Sequence, residues 1–139
     1  MIELDNKTSL NIDINLLQDI ANSLSDKDIE LIITDEKEMQ EINKIHRNID
    51  RSTDVLSFPY EDMPMGPLGS IVISSLHVET LAEELNHGIN DETALLFIHG
   101  LLHILGYDHE LDNGEMREKE LELIKKFNLP KSLIVRTQG

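Results

Sequence analysis

HGLLHILGYDH, residues 99–109, places three histidines within eleven residues, and two of them stand inside an apolar run that begins near Ala94. His99 and His103 are four apart, so on a helix their imidazoles share one face. Gly106 supplies a residue able to take positive φ and stop that helix, which lets the chain fold back and bring His109 toward the other two. Three protein ligands with a fourth position left for water is the pattern of a catalytic zinc site. The plain alternative is a set of packing histidines. Burying imidazoles without partners, however, costs roughly 1–3 kcal/mol for each unsatisfied group, and one metal ion satisfies all three together. His46, His77 and His87 stand apart in the sequence and read as surface residues.

The elements around this run set the fold class. Ile2 to Leu4 reads as a short strand, and Asn15 to Ser25 as an amphipathic helix with Leu16, Leu17, Ile20 and Leu24 at helical spacing. Ile29 to Thr34 is rich in β-branched residues and reads as a strand. Glu36 to Arg47, with Met39, Ile42 and Ile45 at three-residue intervals, reads as a second helix. A strand beginning near Asp54 stops at Pro59, because proline cannot continue a central ladder. Asp62 to Gly69 reads as a loop, Gly69 to Ser74 as a buried strand, and Leu76 to Leu85 as a helix. Asp91 and Thr93 offer capping oxygens for the histidine helix, which is apolar nearly all round and therefore buried. Gly114 to Phe127 closes the series as a charged helix with Met116, Leu121 and Ile124 facing in. The sum is a single α+β domain, residues 1–139, with a small mixed sheet and a central metal-binding histidine helix.

Composition narrows the function. The chain has 139 residues, no cysteine and a formal net charge of −15. The absence of cysteine excludes disulfides and thiolate metal sites and fits a reducing compartment. No basic start with an apolar core precedes the first strand, and no apolar stretch is long enough to span a bilayer, so a cytoplasmic location and no membrane partner are expected. So acidic a chain lacks the basic face of a generic nucleic-acid binder. Much of the acid, including Glu110 to Glu122, reads as solvated surface, and Lys44, Arg47 and Arg51 form one small basic exception.

The spacing His-x3-His-x2-Gly-x2-His is also that of metzincin proteases, which carry a glutamate general base directly after the first histidine. Here that position is Gly100. The peptidase route therefore loses its proton acceptor, leaving a metal's ability to lower the pKa of water from ~15.7 toward ~7 and to polarise a substrate oxygen.

Three separated blocks resemble the YbeY family of bacterial endoribonucleases and rRNA maturation factors. They are NKIHRNIDRSTDVLSFPYE at residues 43–61, LGSIVIS at 68–74, and HGLLHILGYDH at 99–109, in family order. The resemblance implies a zinc ion, one per chain, on His99, His103 and His109, with His99 and Arg47 in the catalytic machinery. It implies action on single-stranded rRNA, notably at the small-subunit rRNA 3′ end, with a ribosomal or other protein partner and a part in ribosome quality control. A guanidinium suits the role expected of Arg47, since it holds phosphate in bidentate fashion; the structural alternative is an arginine favoured by a helix C-terminus. Thr53, Asp54 and Ser57 in the same block read as a turn and strand start. Asp54 and Asp108 are candidates for supporting a ligand histidine. Met116 follows the motif as a metzincin-turn methionine would, but reads as helix core. The family aspartate after the glycine of the middle block is Ser70 here, so no carboxylate role carries over at that position. Two other functions fit the same residues: a metal-dependent hydrolase of another substrate, such as a peptidase, and a non-enzymatic ribosome-assembly factor with a structural metal.

Overall fold

The computed structural model describes residues 1–61, 66–108 and 110–130. His109 and part of the loop expected over Asp62 to Gly69, residues 62–65, lie outside the described residues. Within them the fold is mixed α+β, with four strands in one sheet and five helices. In chain order these are β1 (Ile2–Asn6), α1 (Ile14–Leu24), β2 (Ile29–Thr34), α2 (Glu36–Arg47), β3 (Val55–Pro59), β4 (Gly69–Ser74), α3 (Ser75–Glu84), α4 (Ile89–Ile104) and α5 (Glu115–Lys126). The sheet order is β1-β2-β4-β3; the first three strands run parallel and β3 lies antiparallel on the edge.

Strand alternation sorts the two faces. Ile29, Leu31, Ile33, Ile71 and Ile73 point into the main core with Leu17 and Ile20 of α1 and Phe97, Ile98, Leu101 and Leu102 of α4. Val72 and Leu56 point the other way, onto Met39 of α2. Helix α4 is thus pressed between the sheet and α5, where Leu95 packs on Ile124. That accounts for its apolar character all round. Gly100 makes the close approach: a Cβ there would lie 3.0 Å from Ile71 Cγ2 and 3.4 Å from Val55 Cγ2. The glutamate a metzincin needs at this position would be driven into the sheet.

Helix α4 ends where Gly106 adopts φ 103°. The Gly106 and Tyr107 amides donate to the carbonyls of His103 and Leu102, the bonding pattern of a Schellman cap. Its start differs from the expectation. The helix begins at Ile89 rather than after Asp91; Asp91 sits one turn in and accepts from the Gly88 amide, while the Thr93 hydroxyl donates back to the Ile89 carbonyl.

Apolar residue type does not by itself assign burial in α2 and α3. Ile45 is 77% exposed and Leu76 43%. Steps of three residues slip behind a 3.6-residue turn, so Ile45 sits about 120° round the helix from Met39, and Asn43 takes the buried position instead. Met116 is buried as core, with Leu123 and Ile124 beside it, and Leu121 packs partly buried against the Leu95 and Ile124 cluster.

Candidate active site

Register decides which parts of β3 are available. The Ser74 amide donates to the Asp54 carbonyl and the Tyr60 amide to the Leu68 carbonyl, so even-numbered residues of β3 bond inward to β4. Val55, Ser57 and Pro59 therefore present their backbone groups along the open edge. Pro59 has no amide to offer there, and the Val55 amide is taken by the Asp54 carboxylate at 2.7 Å. Both devices blunt an edge that would otherwise pair with another strand.

Beside this edge lies a cleft of 660 Å³. One wall is the last turn of α2 with His46 and Arg47; the floor is residues 53–59; the other wall is His99, Gly100 and His103 of α4, closed by Asp108 and Glu110. Arg47 is the last helical residue, because Asn48 turns left-handed (φ 57°) and its amide caps the Lys44 carbonyl. Asn43, four residues earlier in the same motif, is 1% exposed and donates from Nδ2 to the Arg51 carbonyl. That bond ties the segment leading into β3 onto the helix carrying Arg47, so the Asn of this block is a scaffold residue.

His99 and His103 meet as their spacing requires. Their ring centroids are 4.7 Å apart, nearly perpendicular, with Nε2 facing Nε2 at 3.2 Å. On its other side His99 Nδ1 donates to Glu120 Oε1 of α5 at 2.8 Å. A carboxylate only accepts, so the proton of a neutral His99 sits on Nδ1 and its Nε2 lone pair points into the cleft. This is the carboxylate–histidine arrangement that orients metal ligands. Two nitrogens bound tetrahedrally to zinc at about 2.0–2.1 Å stand roughly 3.3–3.4 Å apart, so the observed pair fits such an ion with little adjustment. Among the described residues no group of three ligands converges; the third candidate, His109, is outside them, while its neighbours Asp108 and Glu110 both line the cleft.

Three expectations are corrected here. Glu120, placed by its acidic surroundings on a solvated face, is 5% exposed and holds a site histidine. Its cue was present: it stands four residues after Met116, on the inward stripe of α5. His87 is not a surface residue either; its side chain is 1% exposed and pairs with the buried Glu92 at 3.1 Å. His77 is half-buried against the Ser74 hydroxyl at 2.9 Å. Of the three isolated histidines only His46 is exposed, and it lines the cleft. Asp54 spends one carboxylate oxygen on the Val55 amide and the Thr53 hydroxyl, and Asp108 accepts from the Glu110 amide. Ser70 falls in register with Phe58, on the sheet face turned toward α2 and away from the histidines. A carboxylate there would not face the His99–His103 pair.

A family model described as Endoribonuclease YbeY matches residues 3–128. The chain belongs to the YbeY family. Among curated relatives, Endoribonuclease YbeY of Sulfurimonas denitrificans is 66% identical over 139 residues and covers 100% of both chains. Endoribonuclease YbeY of Helicobacter pylori strain 26695 is 55% identical, covering 99% of each. A solution structure of a Thermotoga maritima protein superposes with a TM-score of 0.63 at 31% identity, over 91% of this chain and 89% of that one. YbeY membership agrees with the order of the three sequence blocks, two of which supply cleft residues. No helix among the described residues is long and apolar enough to cross a membrane.

Proposed function

We propose that the chain is a cytoplasmic, single-domain, zinc-dependent endoribonuclease that cleaves single-stranded rRNA in small-subunit 3′-end maturation and ribosome quality control. The observation that carries this reading is the meeting of Arg47 with His99 and His103 in one cleft, although they come from opposite faces of the sheet. Membership of a family described as Endoribonuclease YbeY supports RNA as the substrate.

The charge of the cleft supports the metal. Its described lining carries one guanidinium, Arg47, against the carboxylates of Asp54, Asp108 and Glu110. Left to those groups, it repels a phosphodiester. A divalent cation on His99, His103 and His109 cancels that excess negative charge and removes the repulsion. When bound, zinc supplies Lewis-acid chemistry, lowering the pKa of water toward ~7 and polarising a phosphoryl oxygen. The chain's own residues do the rest. Glu120 holds the His99 ring with its Nε2 turned into the cleft. Arg47 grips non-bridging phosphate oxygens and stabilises the negative charge that grows on them as the ester breaks. The Asn43 bond keeps the α2–β3 segment, and hence the floor, in register with Arg47.

The native chain, loaded with zinc and offered single-stranded RNA, duplex RNA and peptides in parallel, is expected to cleave the single strand and leave peptides intact. Peptide hydrolysis without RNA cleavage would overturn the reading. The net charge of −15 predicts weak binding to naked RNA at physiological salt, with a ribosomal partner presenting the substrate.

A further inference from the structure

Resting on the reading of the cleft as an RNA site, we infer that His46 and Phe58 form a stacking platform for one unpaired nucleobase of the substrate. His46 is exposed on the last turn of α2, and its ring lies 5.0 Å from that of Phe58 at an interplanar angle of 55°. Phe58, from β3, is partly buried in the small core cluster, so it anchors a ring that would otherwise swing freely. Both rings line the cleft, and His46 is the residue immediately before Arg47. A phosphate gripped by Arg47 therefore has its own or a neighbouring base within reach of an aromatic face already held in place.

Physical need points the same way. A cleft with one guanidinium against three carboxylates gains little affinity for RNA from general electrostatics. Base–aromatic stacking needs no net charge and tolerates any sequence, because every base has a π-face. It also rejects a duplex, whose bases are already stacked and paired. On this account the preference for single strands is set at the α2–β3 wall, separately from the histidines on α4.

The test uses the full-length, zinc-loaded chain and a single-stranded oligonucleotide carrying one abasic residue at successive positions around the cleaved bond. Wild type is expected to show one position near that bond where the abasic residue raises KM roughly tenfold with kcat little changed. His46→Ala raises KM for the intact strand by a similar factor and makes that position indifferent to base removal; His46→Phe restores both. Since His46 is exposed, its replacement leaves the core intact, whereas truncating Phe58 would disturb packing. An unchanged KM in His46→Ala, or abasic sensitivity persisting there, overturns the platform. Quenching of a fluorescent purine analogue in the bound single strand reads stacking without cleavage. If wild type quenches but does not cut, and His46→Ala loses the quench, the platform stands and the nuclease reading falls. Without wild-type quenching the platform falls, whether or not the strand is cut.

Discussion

Arg47→Ala is expected to lower kcat for RNA cleavage by roughly 10²–10³-fold, the usual cost of deleting a preorganised group that meets developing negative charge. Metal content should not change, because the guanidinium is no part of the histidine set. Folding should scarcely respond: Arg47 is exposed, and losing a cation at a helix C-terminus costs about 0.3–1 kcal/mol. Arg47→Lys keeps the charge but not the planar fork, so it should recover only part of the rate. The variant also separates an enzyme from an assembly factor with a structural metal. For the latter, Arg47→Ala leaves rRNA processing intact. Single-turnover cleavage, read beside a thermal melt, gives the answer.

Glu120→Gln is the second large effect. Glu120 is buried and bonds His99 Nδ1 at 2.8 Å, fixing both the ring's orientation and which nitrogen faces the cleft. Replacing such a carboxylate typically weakens metal affinity by about 10–100-fold. The amide oxygen of glutamine still accepts from Nδ1, so the fold should survive while the ring loses basicity. Glu120→Ala goes further, leaving the partly buried His99 donor without its acceptor at a cost of about 1 kcal/mol. Competition against a chelator of known zinc affinity measures the first effect and urea denaturation the second. Equal zinc affinity in wild type and Glu120→Gln would remove Glu120 from the metal centre.

Local patterns carried the fold a long way. The β-branched runs at 29–34 and 69–74 became strands with the expected limits, and the helix at 36–47 kept its limits as well, with Asp35 capping its start and Asn48 its end. Gly106 stopped α4 as anticipated, since a positive φ is a property of that residue and its turn. What stayed hidden depended on the choice of tertiary partner. Nothing local says that Glu120, one acid among many, crosses to His99, or that Glu92 is buried to receive His87. Likewise the edge position of β3, and hence the cleft beside it, follows from strand order, which no window of sequence encodes. The His99–His103 pair was legible because four residues on a helix fix two rings on one face whatever packs around them. Arg47 was legible through the family resemblance; its residue type alone fitted a helix end equally well.

In the proposed mechanism His99, His103 and His109 hold one ion on which RNA cleavage depends. Elemental analysis of the purified chain, paired with an RNA cleavage assay before chelation, after it, and after zinc is returned, tests this most directly. The expected result is about one zinc per chain, loss of metal and cleavage together, and recovery of both on readdition. A chelated, metal-free chain that still cuts RNA at its original rate would contradict it.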